Sequence, residues 1–157
     1  MIVIEGKVSK MYTVAIGCDP NGLSYKERLA SFLSQKGYVV IDMSGDDNIY
    51  ANTAFSVANA VRQGTCDRGI LICGTGIGMA IAANKVKGVY AALLSDCYSA
   101  ERARKSNDAK IACFGASTIG YSLMEQLAQI FLENEFDPQS KSAPKVARIA
   151  RYENELH

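Results

Sequence analysis

Cys73-Gly74-Thr75-Gly76-Ile77-Gly78 is the stretch of this sequence whose residue types and spacing are best suited to chemistry. Gly74, Gly76 and Gly78 let a backbone turn sharply and present several N–H groups. Where a helix follows, those amides and the positive end of the helix dipole form a cradle for an anion. Cys73 stands immediately before it. A free thiol ionises near about pH 8.5, and a helix N-terminus favours the thiolate. A thiolate beside a pocket built for a developing oxyanion is equipped to remove a proton next to a carbonyl. Thr75 is placed to pass or donate a proton to the neighbouring oxygen. The bland alternative is a small core cysteine at the end of a strand.

Other chemistries are excluded more firmly. The only histidine is His157, the last residue. A Ser-His-Asp triad, a Cys-His pair or a histidine-rich metal site would have to borrow one from a terminus or another chain. Cys18, Cys66, Cys73, Cys97 and Cys113 contain no C-x-x-C pair and are odd in number. This argues against a disulfide framework and a zinc site and for reduced thiols. The glycine loop is not a dinucleotide fingerprint, because Met79 occupies the sixth position of G-x-G-x-x-G, and no G-K-[ST] occurs. The expected cofactor and metal content is therefore none.

These residues need a scaffold. The chain has 157 residues, 48% apolar and 21% charged, with a net charge of +1, the mix of one ordinary globular domain. That balance points to neither nucleic acid nor an anionic membrane as partner. No apolar stretch approaches the roughly 20 residues of a membrane span, and MIVIEGKVSK makes a poor signal peptide. A cytoplasmic protein is expected. Tyr12–Gly17, Tyr38–Asp42, Gly69–Cys73, Val89–Leu94 and Lys110–Gly115 are continuous apolar runs, which suit strands buried on both faces of a parallel sheet. Between them, Leu23–Gln35, Thr53–Gln63, Ile77–Val86 and Ser99–Lys105 have helical spacing. Ser117–Glu133 repeats Ile119, Leu123, Leu127, Ile130 and Phe131 at three- and four-residue steps, a helical stripe. Alternating strand and helix with short links predicts one doubly wound α/β domain with a parallel sheet. It spans residues 12–157, after an N-terminal extension over 1–11. Gln139–Pro144 reads as loop, and Lys145–Leu156 as a final helix suited to packing on a neighbouring subunit. In such a sheet ligands bind beyond the carboxyl ends of the strands, where Cys18-Asp19-Pro20-Asn21-Gly22 and Ser95-Asp96 join the glycine loop.

Gly69–Gly88, GILICGTGIGMAIAANKVKG, resembles the signature of ribose-5-phosphate isomerase B and the galactose-6-phosphate isomerase subunits. Gly17-Cys18-Asp19, Tyr50, Ser95-Asp96, Ser99-Ala100, Arg104, Asn107 and Phe114-Gly115 fall where that pattern places them, so the resemblance covers about 12–136. It implies a Rossmann-like, metal-free aldose–ketose isomerase of a sugar phosphate, of the ribose-5-phosphate/ribulose-5-phosphate type. By resemblance, Cys73 is the base that moves a proton between C1 and C2 through an enediolate, and Thr75 assists between the two oxygens. The amides of Gly74, Gly76, Ile77 and Gly78, together with Asn107, hold the enediolate. Asp19, its neighbour Pro20, and Tyr50 contact the sugar. The resemblance also implies a homodimer or dimer of dimers, each site completed by the neighbouring subunit.

The sequence departs from that family at the charged and imidazole positions. Pro20 and Ser106 stand where the family usually carries histidine, the second of which opens the sugar ring, and Ser117 stands near an expected arginine. The arginine-bearing tail is replaced by Asp137–Pro144, leaving Arg104, Lys141 and Lys145 as candidate phosphate contacts; lysine lacks the bidentate fork of arginine. Three alternatives accompany the main reading: a tetrose-4-phosphate isomerase that needs no ring opening, one subunit of a hetero-oligomeric galactose-6-phosphate isomerase, and a silent sugar-phosphate-binding homologue.

Overall fold

The computed structural model describes residues 2–4, 7–9, 11–46 and 48–156. His157 and parts of the N-terminal extension lie outside the described residues. Within that extension, β1 (Ile2–Ile4) and β2 (Lys7–Ser9) pair antiparallel as a small ribbon, with Val3 opposite Val8. The sequence alone predicts no element there. The main sheet contains β3 (Thr13–Cys18), β4 (Val39–Asp42), β5 (Arg68–Cys73), β6 (Ala91–Leu93) and β7 (Ile111–Gly115). All its pairings are parallel, in the order β4-β3-β5-β7-β6. The helices are α1 (Leu23–Gln35), α2 (Tyr50–Arg62), α3 (Ile77–Ala83), α4 (Cys97–Lys105), α5 (Tyr121–Glu133) and α6 (Ala143–Glu155). This is the expected doubly wound α/β architecture. No helix among the described residues is long and apolar enough to cross a membrane.

Each face of the sheet has its own core. Ile16, Ile70, Ile72 and Phe114 pack with Leu29 and Leu33 of α1 and Leu127 and Phe131 of α5. On the opposite face Ala15, Leu71 and Cys113 pack with Val57 and Val61 of α2 and Met79 of α3. Alternate residues of β3, β5 and β7 go to opposite faces, and both faces are dry, which is why these strands read as continuous apolar runs. The runs at 38–42 and 89–94 are different. They form the edge strands β4 and β6, which stay largely exposed or half-buried, so the expectation of burial on both faces fails there. Polar backbone at an edge needs a cover. At β6 Asn84 provides it: its amide donates to the Ala91 carbonyl at 2.8 Å and accepts the Ala91 N–H at 2.9 Å.

Several element boundaries also shift. Asn84 turns away toward β6, so α3 stops at Ala83 rather than continuing to Val86. The stretch after β7 forms a turn in which the Thr118 hydroxyl donates to the Gly115 carbonyl at 3.0 Å, delaying α5 to Tyr121. Helix α2 begins at Tyr50, three residues early, without a side-chain cap to announce it. Helix α6 begins inside the expected loop, with Pro144 in its first turn, a position where a missing N–H is harmless.

The topology sets the place for chemistry. The chain leaves β3 for β4 on one side and crosses back to β5 on the other. A crevice therefore opens between the carboxyl ends of β3 and β5, where Cys18 and Cys73 end their strands.

Candidate functional site

Cys73 is the last residue of β5 and is buried on the α2–α3 face. The Gly76 N–H donates to its Sγ at 3.0 Å, and the Ile77 N–H donates to the Thr75 hydroxyl oxygen at 3.3 Å. These two amides belong to the set that a helix start leaves without intrahelical partners; here the two reactive side chains receive them. The Gly78 amide finds no acceptor among the described residues, so it is available to a ligand. Gly76 adopts φ +77°, and a Cβ there would lie 2.6 Å from Leu93 Cδ1 and 2.8 Å from the Phe114 carbonyl carbon. Only glycine makes this turn at this distance from β7. Ala116 N–H donates to the Cys73 carbonyl at 2.8 Å and Ser117 N–H to the Gly74 carbonyl at 2.9 Å. The β5–β7 pairing thus continues past the strand ends and fixes the loop.

Tyr50, the first residue of α2, lies against the start of α3, where a Cβ on Gly78 would fall 2.5 Å from the tyrosine Cζ. On the other side of the crevice Pro20 opens a short 3₁₀ turn capped by Asp19. The Asp19 carboxylate accepts the Gly22 N–H at 3.1 Å and the Asn21 side-chain amide at 3.1 Å. Behind it sits Lys26 of α1, its ammonium buried. Lys26 donates to Asp42 at 2.5 Å and to the Ser44 hydroxyl at 3.3 Å; the same hydroxyl accepts the Cys18 N–H at 3.2 Å. Burial raises the Asp42 carboxyl, but the Lys26 ammonium and the Ser44 amide outweigh it and leave Asp42 below its ordinary range. Burial likewise lowers Lys26, and the bond to Asp42 outweighs it, so Lys26 ends above its ordinary value.

The structure therefore brings Cys73, Gly74, Thr75, Gly76, Ile77, Gly78, Tyr50, Asp19 and Pro20 to one end of the sheet. Four other sequence candidates make no contact with that end among the described residues. Arg104 is 2% exposed at the amino end of the strands. It donates to Asp108 at 2.9 Å, to the Ala109 carbonyl at 2.7 Å and to Glu135 at 3.1 Å. Glu135 also receives Arg68 at 2.8 Å. Arg104 is thus a buried clamp, neither a phosphate contact nor a solvated helix charge. Helix α4 runs from the carboxyl end of β6 down the sheet, so Asn107, just past its end, lies near the start of β7. Cys73, by contrast, is level with Gly115 at the finish of β7. Asn107 cannot reach the thiol of its own chain. Lys141 and Lys145 flank the start of α6, which meets the body where Glu153 accepts the Gly88 N–H at 3.0 Å, also at the amino end. No ion pair ties either lysine to the crevice among the described residues.

Two further polar side chains line the crevice, Asn21, whose segment the sequence places at this end without a role for the side chain, and Ser117: Asn21 Nδ2 and Ser117 Oγ both face Gly74. Only the fold brings residues from β3, β5 and β7 to one point, so spacing gave no warning. Among the described residues, no group of His, Cys, Asp and Glu is arranged to hold a metal ion.

Comparison with known proteins gives the site its context. The ribose/galactose isomerase family model matches residues 14–149. D-erythrulose-4-phosphate isomerase of Pectobacterium atrosepticum is 44% identical, over 92% of this chain and 97% of its own length. A ribose-5-P isomerase B of Listeria innocua is 48% identical, over 78% of this chain and 85% of its own. Among solved structures, the ribose-5-phosphate isomerase B of Clostridium thermocellum superposes with a TM-score of 0.87 at 38% identity, covering 92% of this chain and 99% of that one. The family match takes in every strand of the main sheet except the first residue of β3, and carries the glycine loop with it: the chain belongs to the ribose/galactose isomerase family.

Proposed function

We propose that this chain interconverts an aldose phosphate and a ketose phosphate through a 1,2-enediolate, with Cys73 as the base. The observation that carries the reading is the 3.0 Å contact from the Gly76 amide to Cys73 Sγ at the mouth of a helix start. In the aldose-to-ketose direction the Cys73 thiolate takes the proton from C2. The C2–H electron pair forms the C1–C2 double bond, and the carbonyl electrons move to O1 as the enediolate. Backbone N–H groups of the glycine loop stabilise that oxyanion. Thr75, whose hydroxyl oxygen already accepts the Ile77 amide, relays the O2 proton to O1, and Cys73 returns its proton to C1. Asp19 and Tyr50 orient the sugar. No step calls on a metal or cofactor. Residues 12–157 carry the activity, and reduced thiols suit a cytoplasmic setting.

The ribose-5-phosphate type is the family-wide reading. A second reading has its own support, a substrate that never forms a ring. A tetrose 4-phosphate cannot close a furanose, because its terminal hydroxyl is esterified. Ser106, standing where ring-opening chemistry would want imidazole, then costs it nothing. The relative from Pectobacterium, matched nearly end to end, bears the name of such an enzyme. Exchange of the C2 proton with deuterated water, followed for ribose 5-phosphate, allose 6-phosphate, galactose 6-phosphate and erythrose 4-phosphate, tests both. Exchange with the tetrose alone selects the second reading; exchange with none sinks the reading of this chain as an isomerase on its own.

We further infer that the working unit is at least a dimer. Tyr50, Ile77, Ile81 and Leu93, on adjoining α2, α3 and β6, are each 43–59% exposed, an apolar face beside the crevice. Asn107 lies at the far end of its own sheet, so the role its motif implies requires delivery by a second copy seated on that face.

A further inference from the structure

Gly76, Gly78 and Gly115 are glycines for reasons internal to the fold, since a Cβ on any of them would lie within 2.6 Å of a neighbouring atom. Gly74 is different. Its φ is not in the left-handed range. A Cβ there would meet only Ser117 Oγ at 3.8 Å and Asn21 Nδ2 at 3.9 Å, ordinary contact distances. Neither backbone conformation nor packing requires glycine next to Cys73. The space left open is bounded by an amide, a hydroxyl and bare backbone, and glycine is the residue that lets a ligand come close to a main chain.

The charge of the wall identifies the ligand group. Asn21 Nδ2 donates to Asp19 Oδ2 at 3.1 Å, and Gly22 N–H holds Oδ1 at the same distance, so a carboxylate is fixed beside the amide. A phosphate dianion brought to Asn21 would face that carboxylate. A neutral hydroxyl can donate to Asp19 and accept from Asn21 or Ser117. Building on the isomerase reading above, we propose that Gly74 is the floor, and Asn21 and Ser117 the wall, of a subsite for the hydroxyl-bearing carbon next to the reacting pair. This subsite, not the phosphate contact, sets the stereochemical preference at C3. A polar site matched to one hydroxyl rejects the analogue that misplaces it, because its own groups are left unpaired.

Calorimetric titration of the full-length chain with D- and L-erythrulose 4-phosphate tests this, with inorganic phosphate as a control ligand. The wild type should favour one enantiomer by about tenfold or more in Kd. Ser117→Ala and Asn21→Ala, both at exposed positions, should each narrow that ratio to about threefold, while the affinity for inorganic phosphate stays unchanged. Gly74→Ala should melt with the wild type and lose sugar-phosphate binding. Equal binding of the two enantiomers by the wild type overturns the proposal. So does an unchanged ratio in both wall variants, phosphate affinity that falls in step with the sugar phosphate, or wild-type affinity in Gly74→Ala. Titration reads binding without turnover. A chain that discriminates the enantiomers yet exchanges no C2 proton upholds the subsite and refutes the reading of this chain as an isomerase on its own.

Discussion

The Cys73 sulfur accepts one amide of the glycine loop, the Gly76 N–H, and the proposed mechanism uses that sulfur as the anionic base. If that anion is the base, Cys73→Ala should lower kcat for C2-proton exchange by about 10²–10⁴-fold while the melting temperature stays near that of the wild type, because the side chain is small. A variant within tenfold of wild-type kcat rules the assignment out. Gly76 marks the opposite kind of residue. Gly76→Ala puts a Cβ into Leu93 and the Phe114 carbonyl at φ +77°, so a loss of about 2 kcal/mol or more in denaturant unfolding is expected, from strain and overpacking together. Cys73 and Thr75 were visible in the sequence because one motif holds them together. The Asn21 segment was legible as a strand end, but its meeting with Ser117 around Gly74 was not, because no local pattern relates the end of β3 to the end of β7. Arg104 looked like a ligand because a basic side chain on a short helix carries no sign of burial, and only the Glu135 and Asp108 carboxylates reveal its task.

Among the elements, the first βα unit and its neighbour are tied by one buried ammonium. Lys26 of α1 bridges to Asp42 at the end of β4 and to Ser44 beyond it, and the Gly45 N–H donates onward to the Thr53 hydroxyl in α2 at 3.3 Å. That chain of bonds sets the segment leading into Tyr50. Lys26→Met should destabilise by about 1–2 kcal/mol at pH 7, at the lower end for a buried pair, because the Asp42 side chain is half-exposed. The sign with pH follows from the two shifts. Asp42 ionises below its ordinary value, so its contribution is complete above about pH 4 and disappears as acid protonates it. Lys26 is raised, so its share persists to its ordinary value of about pH 10.4 and is lost as pH rises through the raised one. The difference between wild type and Lys26→Met in urea should therefore be flat through neutrality and vanish in acid. A difference that persists at pH 2 would show that packing, not charge, is at work. The order of elements was legible because buried parallel strands leave continuous apolar runs. The ends were less so: Asn84 shortens α3 through a contact with Ala91, and Pro144 looks like a loop residue until a helix starts at it.

For the molecule as a whole, the apolar face of α2, α3 and β6 lies beside the crevice while Asn107 lies at the opposite end of the sheet. Placing a charge on that face tests whether the two are joined by assembly. Ile81→Asp should convert a dimeric species to monomer in sedimentation at micromolar concentration, and C2-proton exchange should fall with it. A monomeric but fully active variant would leave each chain self-sufficient. The main sheet of the same molecule ends in two edge strands, β4 and β6. On β6 the Asn84 amide occupies the outward N–H and C=O of Ala91; β4 shows Val39 and Ile41 about half to one-third exposed. A body with one adhesive edge can join one neighbour along that edge and then has nothing left to offer, whereas a body with two can grow without limit. On β6 any such growth would have to displace one asparagine side chain that already holds both backbone groups of Ala91.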